Sequence, residues 1–237
     1  EVDAVFSLFG GAKLVGQLKL NAAAIEIVKG DLSHPFMTFA VACNGTMPRS
    51  IWLSETRAVC NNMLSYSFSK AQKDKLGRLF RQSHKSAFDA SAIHEAIRMS
   101  TEAREEQAAI LRSMSAIKLD VTEAKAIIAS IMGKPAADRD LNKDKAIKLS
   151  RPESDVIALY TGEALGYEFA GQTVYGLLNS VTEYVDHHYG RSADARINSA
   201  LMGPNAALKE RAFNTLADIT SGTLDLSTLK ARELVFA

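Results

Sequence analysis

The chain has 237 residues, 47% of them hydrophobic, with 28 Lys and Arg against 27 Asp and Glu for a net charge of +1. That length supports one large domain or two small ones with ample core, and near-neutrality means that any nucleic-acid site must be a local patch rather than the whole surface. No apolar run reaches the roughly 18 residues of a membrane span, and no signal peptide is visible.

Residues 4–53 read as strands. "AKLVGQLKL" (12–20) alternates, with Leu14, Gly16, Leu18 and Leu20 on one face and Lys13, Val15, Gln17 and Lys19 on the other. "AAIEIVKGD" (23–31) sets Ile25 and Ile27 against Glu26, and "HPFMTFAVAC" (34–43) is evenly apolar, as for a strand covered on both faces. Asn21, Gly30-Asp31 and Pro35 are turn positions, and "GTMPR" (45–49) closes an antiparallel meander. From Ser54 the period changes, and a capped helix is expected through "ETRAVCNNMLSYSF", with Val59, Met63 and Tyr66 on one stripe. "FRQSHK" (80–85) reads as a further strand or hairpin arm.

Asp89 caps a long helix reaching about Lys118, and Asp120 starts a second that Gly133 closes. Residues 134–151 are polar and read as a loop or short helix. Further helices are expected at 152–164, 171–189 and 204–221, with a short one from Asp194 to Met202. Strands first and helices after make this an α+β protein: an antiparallel β-meander with a β-β-β-α core, then a mostly helical C-terminal half. The β-rich part spans 1–88 and the helical part 89–237, packed as one cooperative domain.

Few motifs carry chemistry. Gly10-Gly11 lacks the further glycine and helix of a dinucleotide fingerprint, and no phosphate loop occurs, so neither a nucleotide nor another cofactor is expected. Cys43 and Cys60 make neither a disulfide framework nor a zinc site, and both are expected reduced, in or near the core. The stretch 70–85 holds Lys70, Lys73, Lys75, Arg78, Arg81 and Lys85, with Tyr66, Phe68 and Phe80 nearby; cations hold phosphates and exposed aromatics stack bases. A solvated loop with its aromatics turned inward is the plainer alternative. Lys209 and Arg211, after Pro204, read as surface residues or as the cationic end of a groove. On the 171–189 helix, Asn179, Glu183, Asp186 and His187 gather on one stripe, with Thr182 beside them. The bland reading is a structural network in which Glu183 orients His187 and Asn179 bonds a neighbouring loop. The sharper one is a metal held by Glu183 and His187 at i, i+4.

Three blocks together resemble one family. "LFGGAKLVGQLKL" with "VKGD", "TRAVCNNMLSYSF" followed by "RQSHK", and "GQTVYGLLNSVTEYVDHHYGR" with "LMGPNAALKERAF" are similar, in order and across nearly the whole chain, to the phage/plasmid-like proteins of unknown function. One departure is "CNGT" at 43–46, where that family shows a more polar "HDGS"-like turn. The resemblance implies mobile DNA in a bacterial cytoplasm. The β-β-β-α order is also similar to the core of single-strand annealing recombinases, which use no nucleotide and assemble into rings or filaments on single-stranded DNA.

The sequence therefore leads to an expectation of a non-enzymatic, homo-oligomeric protein that binds or anneals single-stranded DNA, with no membrane partner. Arg57, Lys70, Lys73, Lys75, Arg78, Arg81 and Lys85 are the expected phosphate contacts. Asn61 and Asn62 would bond the backbone or brace the groove, and the Asn179–Glu183–His187 stripe would lock the helices onto the sheet. The alternatives are a metal-dependent enzyme acting on nucleic acid, centred on Glu183, Asp186 and His187, and a counter-defence protein that binds a host factor.

Overall fold

The computed structural model describes residues 2–57, 63–65, 79–87, 89–133 and 149–226. Its sheet is antiparallel throughout and is built on a long strand, β4 (Asp31–Ala42). On one side β4 pairs with β2 (Lys13–Lys19) along 36–42 and with β3 (Ile25–Val28) along 31–33. On the other side lies β5 (Arg49–Arg57), whose outer edge takes β6 (Met63–Ser65) and β7 (Leu79–Gln82) end to end. β1 (Val2–Leu8) flanks β2. The corner between β1 and β2 turns through Phe9, Gly10 and Gly11, all at positive φ, which is why two glycines stand there.

The expected helix from Ser54 does not form. Ser54, Glu55, Thr56 and Arg57 continue β5, and the Ser54 hydroxyl lies 3.1 Å from that of Thr38 on β4. Ser54 does have the chemistry of a helix cap, but full-length pairing of β5 with β4 outweighs a local cap. The sheet therefore runs on beyond a β-β-β-α core, and the first helix among the described residues begins at Ala90.

Helix starts follow the sequence closely. α1 (Ala90–Ala116) opens where the Asp89 carboxylate accepts from the Ser91 N–H and hydroxyl. α2 (Val121–Met132) opens on a reciprocal Asp120–Glu123 capping box. α3 (Arg151–Ala158) starts where Glu153 accepts from the Ser150 N–H. The expected 171–189 helix begins at Val174 and changes pitch near its end. A single turn, α4 (Tyr167–Ala170), precedes Gly171; Thr173 then caps α5 (Val174–Glu183), which widens into a π-helical turn at Tyr184–His188. α6 (Ala193–Met202) is capped by Ser192, and α7 (Pro204–Thr220) takes its proline in the first turn. Residues 134–148, expected as loop or short helix, lie outside the described residues.

Two apolar clusters hold the layers together. The larger joins Ile25 and Ile27 of the β3 strand to Leu111, Met114, Ile127, Val156, Leu178, Val181 and Leu216 of the helices. The smaller packs Leu8, Val15, Ala40 and Trp52 against Leu201 of α6. The buried side of β4 changes along its length: Asp31 and Ser33 are buried at one end, then Phe36, Thr38, Ala40 and Ala42 from the opposite parity. A strand this long in a twisted sheet cannot present one face to one flat layer, so α1 and α5 cover one face at the Asp31 end and α6 covers the other at the Ala42 end. No helix among the described residues is long and apolar enough to cross a membrane. Cys43 is exposed rather than buried, because it falls in the turn after β4; Cys60 lies outside the described residues.

Candidate functional site

Where the Asp31 end of the sheet meets α1 and α5, the structure buries an unusual concentration of charge. Asp31 begins β4 directly after Gly30, which takes φ +86° in the hairpin from β3. Arg57, three strand positions from Ser54 in β5, reaches back to Asp31. Its Nε lies 3.0 and 2.9 Å from the two carboxylate oxygens, and a terminal nitrogen lies 2.5 Å from Oδ2. The same oxygen accepts the Tyr175 hydroxyl of α5 at 2.8 Å, and the Arg57 guanidinium sits 5.3 Å from the centre of the Tyr175 ring. Alongside runs a second pair. Arg104 of α1 places Nε 2.5 Å from Glu55 Oε1, while the Ser33 hydroxyl donates to the other oxygen of Glu55 at 2.9 Å.

Two carboxylates and two guanidiniums thus balance one another in the joint between sheet and helices. Asp31 is fully buried, and Arg57 is 6% exposed. Ser33, Glu55, Arg57, Tyr175, Asn179 and Thr182 line a cavity of about 20 Å³ there, room for a water and little more. Such pairs are retained in an interior only when nearly every polar atom is met.

Tyr175 is the donor that α5 contributes to this joint. Burial pushes its hydroxyl well above the ordinary tyrosine range; Arg57 opposes the shift, and the neighbouring Asp31 charge adds to it. Burial does the same to Tyr160, with Tyr167, Glu123 and Asp120 adding to it, and the Tyr160 hydroxyl donates to the Leu119 carbonyl at 2.7 Å. Above pH 10 the unfolded chain releases these phenolic protons while the native state keeps them. The native state then binds more protons, so stability is complete below pH 10 and falls as pH rises beyond it. Denaturant midpoints taken between pH 8 and 11 are expected to drop past pH 10, and to drop less steeply in Tyr175→Phe.

Each residue singled out from the sequence now has a place. Arg57 departs from expectation: it is a buried ion-pair partner of Asp31, closed off from any phosphate, because its strand parity turns it toward the helices. Arg81 on β7 and Lys85 in the following turn are exposed. Lys70, Lys73, Lys75, Arg78, Asn61 and Asn62 lie outside the described residues. Asn179 and Thr182 line the cavity, with Asn179 against Tyr175.

Glu183 is buried too, but its carboxylate accepts the Leu165 N–H, at 3.0 Å from Oε2, instead of orienting His187. The wide turn after Glu183 advances the register by one residue, so that His188 rather than His187 comes 3.7 Å from Glu183; both imidazoles are exposed. Asp186 pairs with Lys209 of α7 at 2.8 Å, and Lys209, expected at the surface, is 2% exposed. The stripe is therefore split between two partners. Among the described residues, no three His, Cys, Asp or Glu side chains converge as metal ligands.

The network residues that the sequence reading did not select are Asp31, Ser33, Glu55, Arg104 and Tyr175. One signal pointed to Glu55: it shares a face with Arg57 once 49–57 is read as a strand.

A family model for a domain of unknown function, DUF932, matches residues 7–202. The chain belongs to this family. No curated protein and no solved structure matches it. The DUF932 region takes in the whole buried network, from Asp31 to Asn179, together with Arg81 and Lys85, and stops at the end of α6.

Proposed function

We propose that this DUF932 protein is a nucleic-acid-binding protein of mobile elements, working in the bacterial cytoplasm, that holds or anneals single-stranded DNA without a nucleotide. One observation carries the reading. Arg81 and Lys85 stand exposed at the end of the segment that brings in Lys70, Lys73, Lys75 and Arg78, while β7 fixes that end of the segment against β5. The cations that remain in the set after Arg57 is withdrawn all fall within residues 70–85, and a local cluster of cations is what neutralises neighbouring phosphates. The Arg49 guanidinium, donating to the Ser83 and Ser86 carbonyls, shapes the turn that presents Lys85.

The test is the triple substitution Lys75→Ala, Arg78→Ala, Arg81→Ala, followed by fluorescence anisotropy with a labelled oligothymidine across a salt series. The three cations are expected to contribute about 2 to the slope of log affinity against log salt, at about 0.7 per single-strand phosphate contact. Binding should weaken and the slope should flatten by that amount. Binding that is unchanged in both strength and slope overturns the site.

A further inference from the structure

We infer that the "CNGT" turn at 43–46 modifies itself: Asn44 loses ammonia, takes up water and becomes aspartate and isoaspartate while the protein stays folded. The inference concerns the turn between β4 and β5 and stands independently of the nucleic-acid reading.

The sequence supplies the reacting pair. Asn44 is followed by Gly45, and no other asparagine in the chain precedes a glycine. Glycine matters because the nucleophile is its own backbone nitrogen, which a Cβ would shield. The structure keeps that approach open. Asn44, Gly45 and Thr46 are all exposed, and a Cβ placed on Gly45 would meet nothing within 4 Å. Gly45 takes φ +77°, so the turn itself demands glycine there.

Thr46 prepares the electrophile. Its N–H and its hydroxyl both donate to Asn44 Oδ1, at 3.2 and 2.7 Å. That oxygen takes up negative charge when the side-chain carbonyl is attacked, and donors already aimed at it act as an oxyanion hole does. One bond opposes the attack: the Gly45 N–H donates to the Ala42 carbonyl at 3.1 Å and must let go. In an exposed turn water replaces that donor at small net cost.

In the first step water or hydroxide takes the Gly45 amide proton. The nitrogen bonds to Asn44 Cγ, and the carbonyl pair moves onto Oδ1. When that pair returns, the bond from Cγ to Nδ2 breaks, and ammonia leaves with a proton from water. A cyclic imide remains, and a water molecule opens it. Opening at Cγ gives aspartate; opening at the Asn44 backbone carbonyl gives isoaspartate. Either product lowers the net charge of +1 by one unit. The iso form also threads a methylene into the backbone between β4 and β5. The turn is tied on both flanks, by the Cys43 N–H donating to the Ala12 carbonyl and by the His84 ring bonding the Met47 carbonyl. The added length therefore disturbs the β1–β2 corner and the turn after β7 together.

The test holds the folded full chain in mildly alkaline buffer, which favours loss of the Gly45 amide proton. Trypsin cuts after Lys29 and Arg49, and Asn44 is the sole asparagine of the peptide 30–49. Mass spectrometry of that peptide counts conversion, and an isoaspartyl methyltransferase assay identifies the iso form. Asn44 should convert ahead of every other asparagine. Thr46→Val keeps the N–H donor and removes the hydroxyl, and should slow conversion about tenfold, the worth of one hydrogen bond to a developing charge. Thr46→Ser should restore the wild-type rate. In urea, where the turn is gone, Thr46→Val and wild type should convert alike. An Asn44 that outlasts other asparagines in the folded chain overturns the inference. So does a folded Thr46→Val as fast as wild type, or one slowed equally in urea.

Discussion

Asp31→Ala is expected to destabilise the protein by about 3–5 kcal/mol, the range for removing one member of a buried ion pair. The loss is large because of what stays behind. Arg57 would remain buried with its carboxylate gone, and the Tyr175 hydroxyl would lose its acceptor. Tyr175→Phe removes the hydroxyl's hydrogen bonds with Asp31 and Asn179 but leaves the ion pair, and should cost about 0.5–1.5 kcal/mol per bond. Guanidinium unfolding followed by circular dichroism measures both, and the ratio is the informative quantity. If Asp31→Ala costs no more than Tyr175→Phe, the ion pair does not form as described.

The second large effect concerns Glu55 and Arg104. Arg104→Leu should cost about 3–5 kcal/mol, since the buried Glu55 carboxylate, which accepts from the Ser33 hydroxyl, would lose its guanidinium counter-charge. Adding Glu55→Leu to Arg104→Leu should recover at least half of that loss, although two charged groups have then been deleted. Buried pairs replaced by apolar side chains of similar volume are often neutral or better. The double-mutant cycle states the coupling directly. A double variant as unstable as the sum of its singles would mean that the two side chains act separately. Recovery would raise the question of why the chain keeps charge in this joint at all. One answer is register: Asp31–Arg57 ties β4 to β5, Tyr175 ties both to α5, and Glu55–Arg104 ties β5 to α1. Apolar contacts are less particular about which residues meet.

Local signals in the sequence identified much of the fold. The alternation in 12–20 and 23–31 and the dense apolar run 34–43 became β2, β3 and β4, because period-two patterning and turn residues act within a few residues of themselves. The same holds for Asp89, Asp120 and Pro204 at helix starts, where a side chain meets a backbone group two or three residues away. Ser54 shows the limit. Its own neighbourhood favours a cap, and only pairing with Phe36, far along the chain, makes it a strand residue.

The candidate site depended more heavily on distant partners. Lys85 and Arg81 could be taken as exposed from a polar, basic stretch, and they are. Arg57 and Lys209 looked the same in one dimension, yet each is buried beside a carboxylate supplied by another element, Asp31 and Asp186. The pattern of 171–189 showed an amphipathic helix, but not the widened turn after Glu183 that exchanges His187 for His188.

Composition and short-range patterning by themselves determined the class of the protein, α+β with its sheet first, and the caps of its helices. Tertiary structure alone decided which charges face water, because burial of a charge depends on a counter-charge that may stand 26 residues away, as Asp31 does from Arg57, or 49, as Glu55 does from Arg104. A side chain's solvation is a property of everything packed around it, and periodicity within its own segment carries no record of that.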